Sequence, residues 1–247
     1  MIYPELTADA IAESHTYLES VQSSQARRSF SVSTAVLDGD PASAILDMAE
    51  QKMADIIVMS SHGYSGLTRW LLGSVAEKVL RGAACPVLVV RSPQAIRRVL
   101  IPLDGSDLSS HVLAPAIAAA QGLGASVTLL RVVPELHEQE RYELDQLEPG
   151  LGRRLVEELQ EDAKSYLRRV AETHQRPGQM IEHEVRTGPA AGAILRYAAQ
   201  HPIDLIAMAT HGRTGLGRWV YGSVTEKVLR AGSYSMLVVR PRVDALN

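Results

Sequence analysis

A chain of 247 residues, 46% hydrophobic and 21% charged, can bury one large core or two small ones. Its formal net charge of -3 provides no global positive field for nucleic acid or an anionic membrane surface. Cys85, the single cysteine, excludes an internal disulfide framework and a cysteine-ligated zinc. Met1 to Ala12 has no apolar run of signal-peptide length, and no segment reaches ~18 uninterrupted apolar residues, so the expectation is a soluble cytoplasmic protein.

The pattern predicts a strand at Ser31 to Leu37, a helix at about Pro41 to Lys52, a strand at Asp55 to Met59, a helix opening at Ser74 and a closing strand at Pro86 to Arg91. Arg98 to Leu103 is then a short apolar strand, and the Asp104-Gly105-Ser106-Asp107 turn leads into an alanine-rich helix from about Ser109 to Gln121. Gly122 and Gly124 end that helix. Ser126 to Val133 reads as a strand, Glu135 to Gly152 as a polar acidic connection, and Arg153 to His174 as a charged helix broken by Pro177-Gly178. Strands at Ile181 to Arg186, Asp204 to Met208 and Met236 to Val239 alternate with helices at Pro189 to Gln200 and Ser223 to Arg230. Such alternation implies parallel pairing through right-handed crossovers and an open, doubly wound α/β sheet. Ligands of such sheets bind at the carboxyl ends of the strands.

A repeat runs through this pattern. Asp55 to Arg91 and Asp204 to Arg240 align without a gap, with roughly 21 of 37 positions identical. The same offset pairs Tyr17-Leu18 with Tyr166-Leu167 and Met1 with Gly150, so residues 97 to 149 have no counterpart in the first copy. We therefore expect two tandem domains: residues 1–93, an incomplete copy lacking the first two strands, and residues 97–241, a nearly complete one. Without those strands, Ser31 to Leu37 is expected to slide beside Asp55 to Met59, or else to borrow strands from another chain.

Between the fourth strand and last helix of the second copy stand Ala209-Thr-His-Gly212, nine residues, and Gly222-Ser223; the first copy has Ser60-Ser-His-Gly63, nine residues, and Gly73-Ser74. Glycines let backbone N–H groups approach phosphate oxygens, and a following helix offers unpaired N–H groups and a positive dipole end. Ser74-Val-Ala-Glu77 and Ser223-Val-Thr-Glu226 also fit a capping box, which needs no ligand.

The motif, together with VLIPLDGSD and the closing VLVVR strand, resembles the universal stress protein family over nearly the whole chain, as a tandem member with an incomplete first repeat. The resemblance implies a Rossmann-like fold of the adenine nucleotide alpha hydrolase kind, with strands in the order third, second, first, fourth, fifth. It implies a stress-response sensor or regulator that binds ATP or a related adenine nucleotide, with or without Mg2+, in the second domain. Asp104 would lie near the ribose and Val132 would line the adenine pocket, and Pro102, Leu103 and Met208 would be further nucleotide-binding positions. Gly212, Gly222 and Ser223 would meet the phosphates, with Val224 and Thr225 supplying the next backbone amides. Ala209 departs from the family pattern, which has glycine there. His211 fits a phosphate contact, a base or a locally bonded turn histidine. Arg213 and Arg218 fit phosphate screening or plain solvation, and Trp70 and Trp219 fit core or interface anchors. Asp104 is also placed to cap the following helix.

No GxxxxGKS/T loop and no Ser/His/Asp set stands out, so no catalytic or metal-ligating residue is assigned. The other readings are a slow ATPase and a dimeric scaffold that binds no nucleotide. In the family, closing strands commonly pair across a two-fold axis, so Pro86 to Arg91 and Met236 to Arg240 should run antiparallel, pairing the two repeats with each other. A homodimer is the further partner expected, and neither nucleic acid nor a membrane is.

Overall fold

A computed structural model describes residues 8–25, 30–60, 72–210, 222–231 and 234–241. In chain order its elements are α1 (Ala8–Gln25), α2 (Pro41–Gln51), β1 (Ile57–Ser60), α3 (Ser74–Gly82), β2 (Val87–Val90), β3 (Arg98–Pro102), α4 (Asp107–Ser110), α5 (Leu113–Leu123), β4 (Ser126–Val133), α6 (Glu138–Leu147), α7 (Leu151–His174), β5 (Ile181–Thr187), α8 (Ala190–Gln200), β6 (Leu205–Ala209), α9 (Ser223–Ala231) and β7 (Ser235–Val239). The chain divides into two compact units, residues 1–53 and 54–247.

The first unit holds α1 and α2. Asp40 starts α2 by accepting from the Ser43 N–H at 3.1 Å, and Pro41 presets the first helical φ. Residues 31–38 form no strand, which corrects the expectation of a strand at Ser31 to Leu37 sliding beside Asp55 to Met59. The reason is partnership: the aligned segment, β5, exists as a ladder of seven residue pairs with β4, and the first copy contains no sequence matching β4.

The second unit is built on one seven-stranded sheet in the order β1-β2-β7-β6-β3-β4-β5. Within it, β5-β4-β3-β6-β7 is the strand order the family resemblance implied for the second copy, all parallel. Crossovers through helices cover both faces, so the central strands are apolar on both sides: Val99, Leu100 and Ile101 are each 0% exposed. Val99, Ile101, Val127 and Leu129 pack with Ile117 of α5 and Leu167 of α7 on one face. Leu100, Leu130 and Ile206, at alternating positions along their strands, are buried too.

β2 joins β7 antiparallel, with Val87 opposite Val238, Leu88 opposite Leu237 and Val89 opposite Met236. This is the pairing expected of the two closing strands, and it carries β1 and β2 of the first repeat into the sheet of the second. Pairing covers an edge on each strand and leaves β1 and β5 as the outer strands. β5 carries charge along its edge, including a Glu184–Arg186 ion pair at 2.6 Å, whereas β1 is only four residues long.

Two local expectations need correction. Glu135 to Gly152 is not a plain connection: α6 occupies Glu138–Leu147, held by a capping box in which the Glu140 carboxylate accepts from the His137 N–H at 2.8 Å. The helix expected from Ser109 is divided at His111 and Val112 into α4, capped by Ser106, and α5: the His111 and Val112 N–H groups donate three residues back, to the Leu108 and Ser109 carbonyls, and so interrupt the α-helical ladder.

Candidate functional site

Chain order reverses at β3, which has β4 on one side and β6 on the other, and the crevice at their carboxyl ends is the binding place of an open α/β sheet. A cavity of about 280 Å3 lies there. Pro102, Leu103, Asp104, Val132, Met208, Ala209, Gly222, Ser223, Val224 and Thr225 all line it. His211, Gly212 and Arg213 lie outside the described residues, as do Arg218, Trp219 and the first-copy His62, Gly63 and Trp70.

Sequence reasoning missed six lining residues: Ser106, Leu108, Ser109, Leu130, Ala190 and Ile194. Two signals point to three of them. Leu130 stands two residues before Val132 and so on the same face of β4, and Ala190 and Ile194 stand one helical turn apart on α8.

Asp104 is fixed by its own turn. Its carboxylate accepts from the Ser106 N–H at 2.9 Å and the Ser106 hydroxyl at 2.6 Å, while Gly105 takes a φ of +80, a conformation that glycine adopts freely. Burial disfavours the charged carboxyl, but donation from the Ser106 hydroxyl and N–H and the Ser109 side chain outweighs burial and holds Asp104 below its ordinary value. A carboxyl depressed in the folded state stabilises the protein above its unfolded value of about 3.9, and that contribution disappears as pH falls through the folded value. The melting-temperature advantage of the wild-type chain over Asp104→Asn should therefore be present at neutral pH and shrink as pH falls below about 4. Thermal unfolding across a pH series checks this; an advantage that stays constant down to the lowest pH would remove the carboxylate from the account.

Opposite Asp104, α9 opens at Ser223. The capping boxes expected at Ser74 and Ser223 do not form in the expected way: Gly73 is the N-cap of α3 with no side-chain cap, and Ser74 and Ser223 are the first helical residues. Glu77 and Glu226 instead reach down the helix to Arg81 at 2.6 Å and Arg230 at 3.0 Å. Thr225 is 4% exposed, and its hydroxyl donates to the Ala209 carbonyl at 3.1 Å, which ties the first turn of α9 to the end of β6. The matching residue of α3 is Ala76, which has no hydroxyl to give.

The universal stress protein family model matches residues 2–91 and again residues 95–240. The chain belongs to the universal stress protein family. A universal stress protein of Mycobacterium tuberculosis is 31% identical over 222 residues, covering 87% of this chain and 71% of that one. A universal stress protein of Methanocaldococcus jannaschii is 54% identical over 63 residues, 26% of this chain and 37% of that one. Among solved structures, a universal stress protein from Archaeoglobus fulgidus matches in fold with a TM-score of 0.67 at 20% identity, over 94% of this chain and 79% of that one. No helix among the described residues of this universal stress protein is long and apolar enough to cross a membrane.

Proposed function

We propose that the chain binds ATP, or a related adenine nucleotide, at the carboxyl ends of β3, β4 and β6, and serves as a nucleotide-dependent regulator of the stress response. The observation that carries this reading is the division of labour within one cavity. Leu130, Val132, Ile194 and Met208 offer an apolar wall to a base, Asp104 offers a fixed carboxylate to sugar hydroxyls, and the opening of α9 offers backbone N–H groups and a positive dipole end to phosphates. The cavity volume stands near the lower end of the roughly 300–1,000 Å3 common for small-ligand sites.

Asp104, a carboxylate of this lining, is held by the Ser106 hydroxyl and N–H and is thereby fixed for binding. One site per chain is expected, because among the described residues β1 pairs only with β2 and has no neighbour corresponding to β3 or β4 to supply a carboxylate and an apolar wall.

Titration calorimetry of the full chain with ATP and magnesium tests the reading. The expected result is saturation at one ATP per chain, together with a raised melting temperature, since a ligand that binds only the native state adds about 2.7 kcal/mol at a hundredfold excess over Kd. A flat titration with an unmoved melting temperature would leave the ligand-free scaffold as the better reading, and two equivalent sites would show that the first repeat forms a pocket of its own.

A further inference from the structure

We infer that Arg91, from the first repeat, is a positioning residue for the nucleotide site of the second: it clamps the far end of the phosphate-facing helix α9. The inference rests on the nucleotide reading above and adds a role for the incomplete repeat. Arg91 follows β2, and its guanidinium donates to the Leu229 carbonyl at 2.7 Å. Leu229 belongs to the last three residues of α9, where carbonyls have no partner within the helix and a cation is favoured by the dipole. The Arg91 backbone N–H donates to the Ser235 hydroxyl at 3.2 Å, at the start of β7, so the arginine is itself anchored beside the helix it holds. Burial pushes its guanidinium below the ordinary value, which marks a charge taken partly out of water.

α9 is thereby fixed at both ends. Thr225 ties its first turn to β6 and Arg91 ties its last turn, at Leu229, to the end of β2, the two points lying about 6 Å apart along the helix axis. A short helix held at two points cannot slide or tilt along the sheet, and its first N–H groups stay where a phosphate needs them.

The repeat contains its own control. Arg240 occupies the matching place in the second copy, and its guanidinium reaches the Ala83 carbonyl, just beyond α3, at 3.4 Å. Each repeat thus extends its closing arginine to the end of the other's helix. The two arrangements differ at the opposite end: α3 has Ala76 where α9 has Thr225, and α9 alone of the two lines the cavity at β3, β4 and β6. The clamp is complete only on the helix that borders that cavity.

The test compares Arg91→Met, Arg91→Lys and Arg240→Met with the wild-type chain. Calorimetry with ATP and magnesium should show Kd weakened roughly tenfold in Arg91→Met, the size of one charge-assisted hydrogen bond. Arg91→Lys, which keeps the charge on a flexible stem, should fall between the two, and it carries the test alone if the methionine variant does not fold. Arg240→Met should lower the melting temperature and leave Kd unchanged. Hydrogen exchange without nucleotide provides a second readout: amides of Glu226 to Val228 should exchange faster in Arg91→Met than in Arg240→Met. Wild-type affinity in Arg91→Met overturns the inference, and so does equal weakening by both variants, which would show general loosening. If the wild-type chain binds no ATP, the nucleotide reading fails by itself, and the exchange comparison decides whether the clamp exists.

Discussion

Ser223→Asp is expected to abolish measurable ATP binding while leaving the melting temperature unchanged or slightly higher. Ser223 is the first residue of α9 and lines the cavity, so a carboxylate there occupies the ground assigned to the phosphates. Two opposite signs make the variant informative. A negative charge about 4 Å from a phosphate costs about 4 kcal/mol at an effective dielectric of 20, or roughly a thousandfold in Kd. The same charge in the first turn of a helix is worth roughly 0.3–1 kcal/mol to the helix dipole, on the favourable side. Stability and affinity should therefore separate, which a merely disruptive substitution cannot achieve. Calorimetry and thermal unfolding on one preparation decide the matter. If Ser223→Asp binds ATP as the wild-type chain does, the anion is not at the opening of α9.

The elements most legible in the sequence are those whose partners the sequence also contains. β4 is found at Ser126–Val133, the residues its apolar run predicted, because β3 and β5 stand ready on either side. α8 and α9 begin within a residue of expectation, and α2 and α3 repeat them in the first copy. Two failures have one cause each. α6 was hidden because it is polar and buries nothing, so hydrophobic periodicity had nothing to report, although His137 and Glu140 stood at capping-box spacing. Ser31 to Leu37 carried strand-like composition, yet a strand is a property of a pair, and that half of the pair is what sequence composition does not display.

The site was legible to the same degree and for related reasons. Asp104, Gly222 and Ser223 were flagged by motif, and they surround one cavity; Leu130, Ala190 and Ile194 were missed because their share in it comes from strand and helix facing rather than from unusual chemistry. Thr225 shows the limit most clearly. It was assigned for its backbone amide, but its hydroxyl also holds α9 to β6, a tertiary hydrogen bond across 16 residues that no local pattern announces.

Amide exchange should separate the two halves of the repeat by a factor of about 10^4 or more, with Val99 to Ile101 slow and residues 31–38 close to unprotected. β3 lies between β4 and β6, and its three central residues are 0% exposed, so their amides open only when the whole sheet does. That opening costs the global stability, about 5–15 kcal/mol for a native domain. Residues 31–38 belong to no ladder, and so pay no such cost. The comparison with β5 sharpens the expectation, because the aligned segments start from related sequences and differ in whether a strand lies alongside. β5 has Val127 to Val133 opposite it, and its amides should be protected well above those of 31–38 though below those of β3, since β5 is an outer strand. Protection of residues 31–38 within tenfold of β3 would mean that a second chain supplies the missing neighbour, and exchange measured across a dilution series would then show that protection falling as the chains separate.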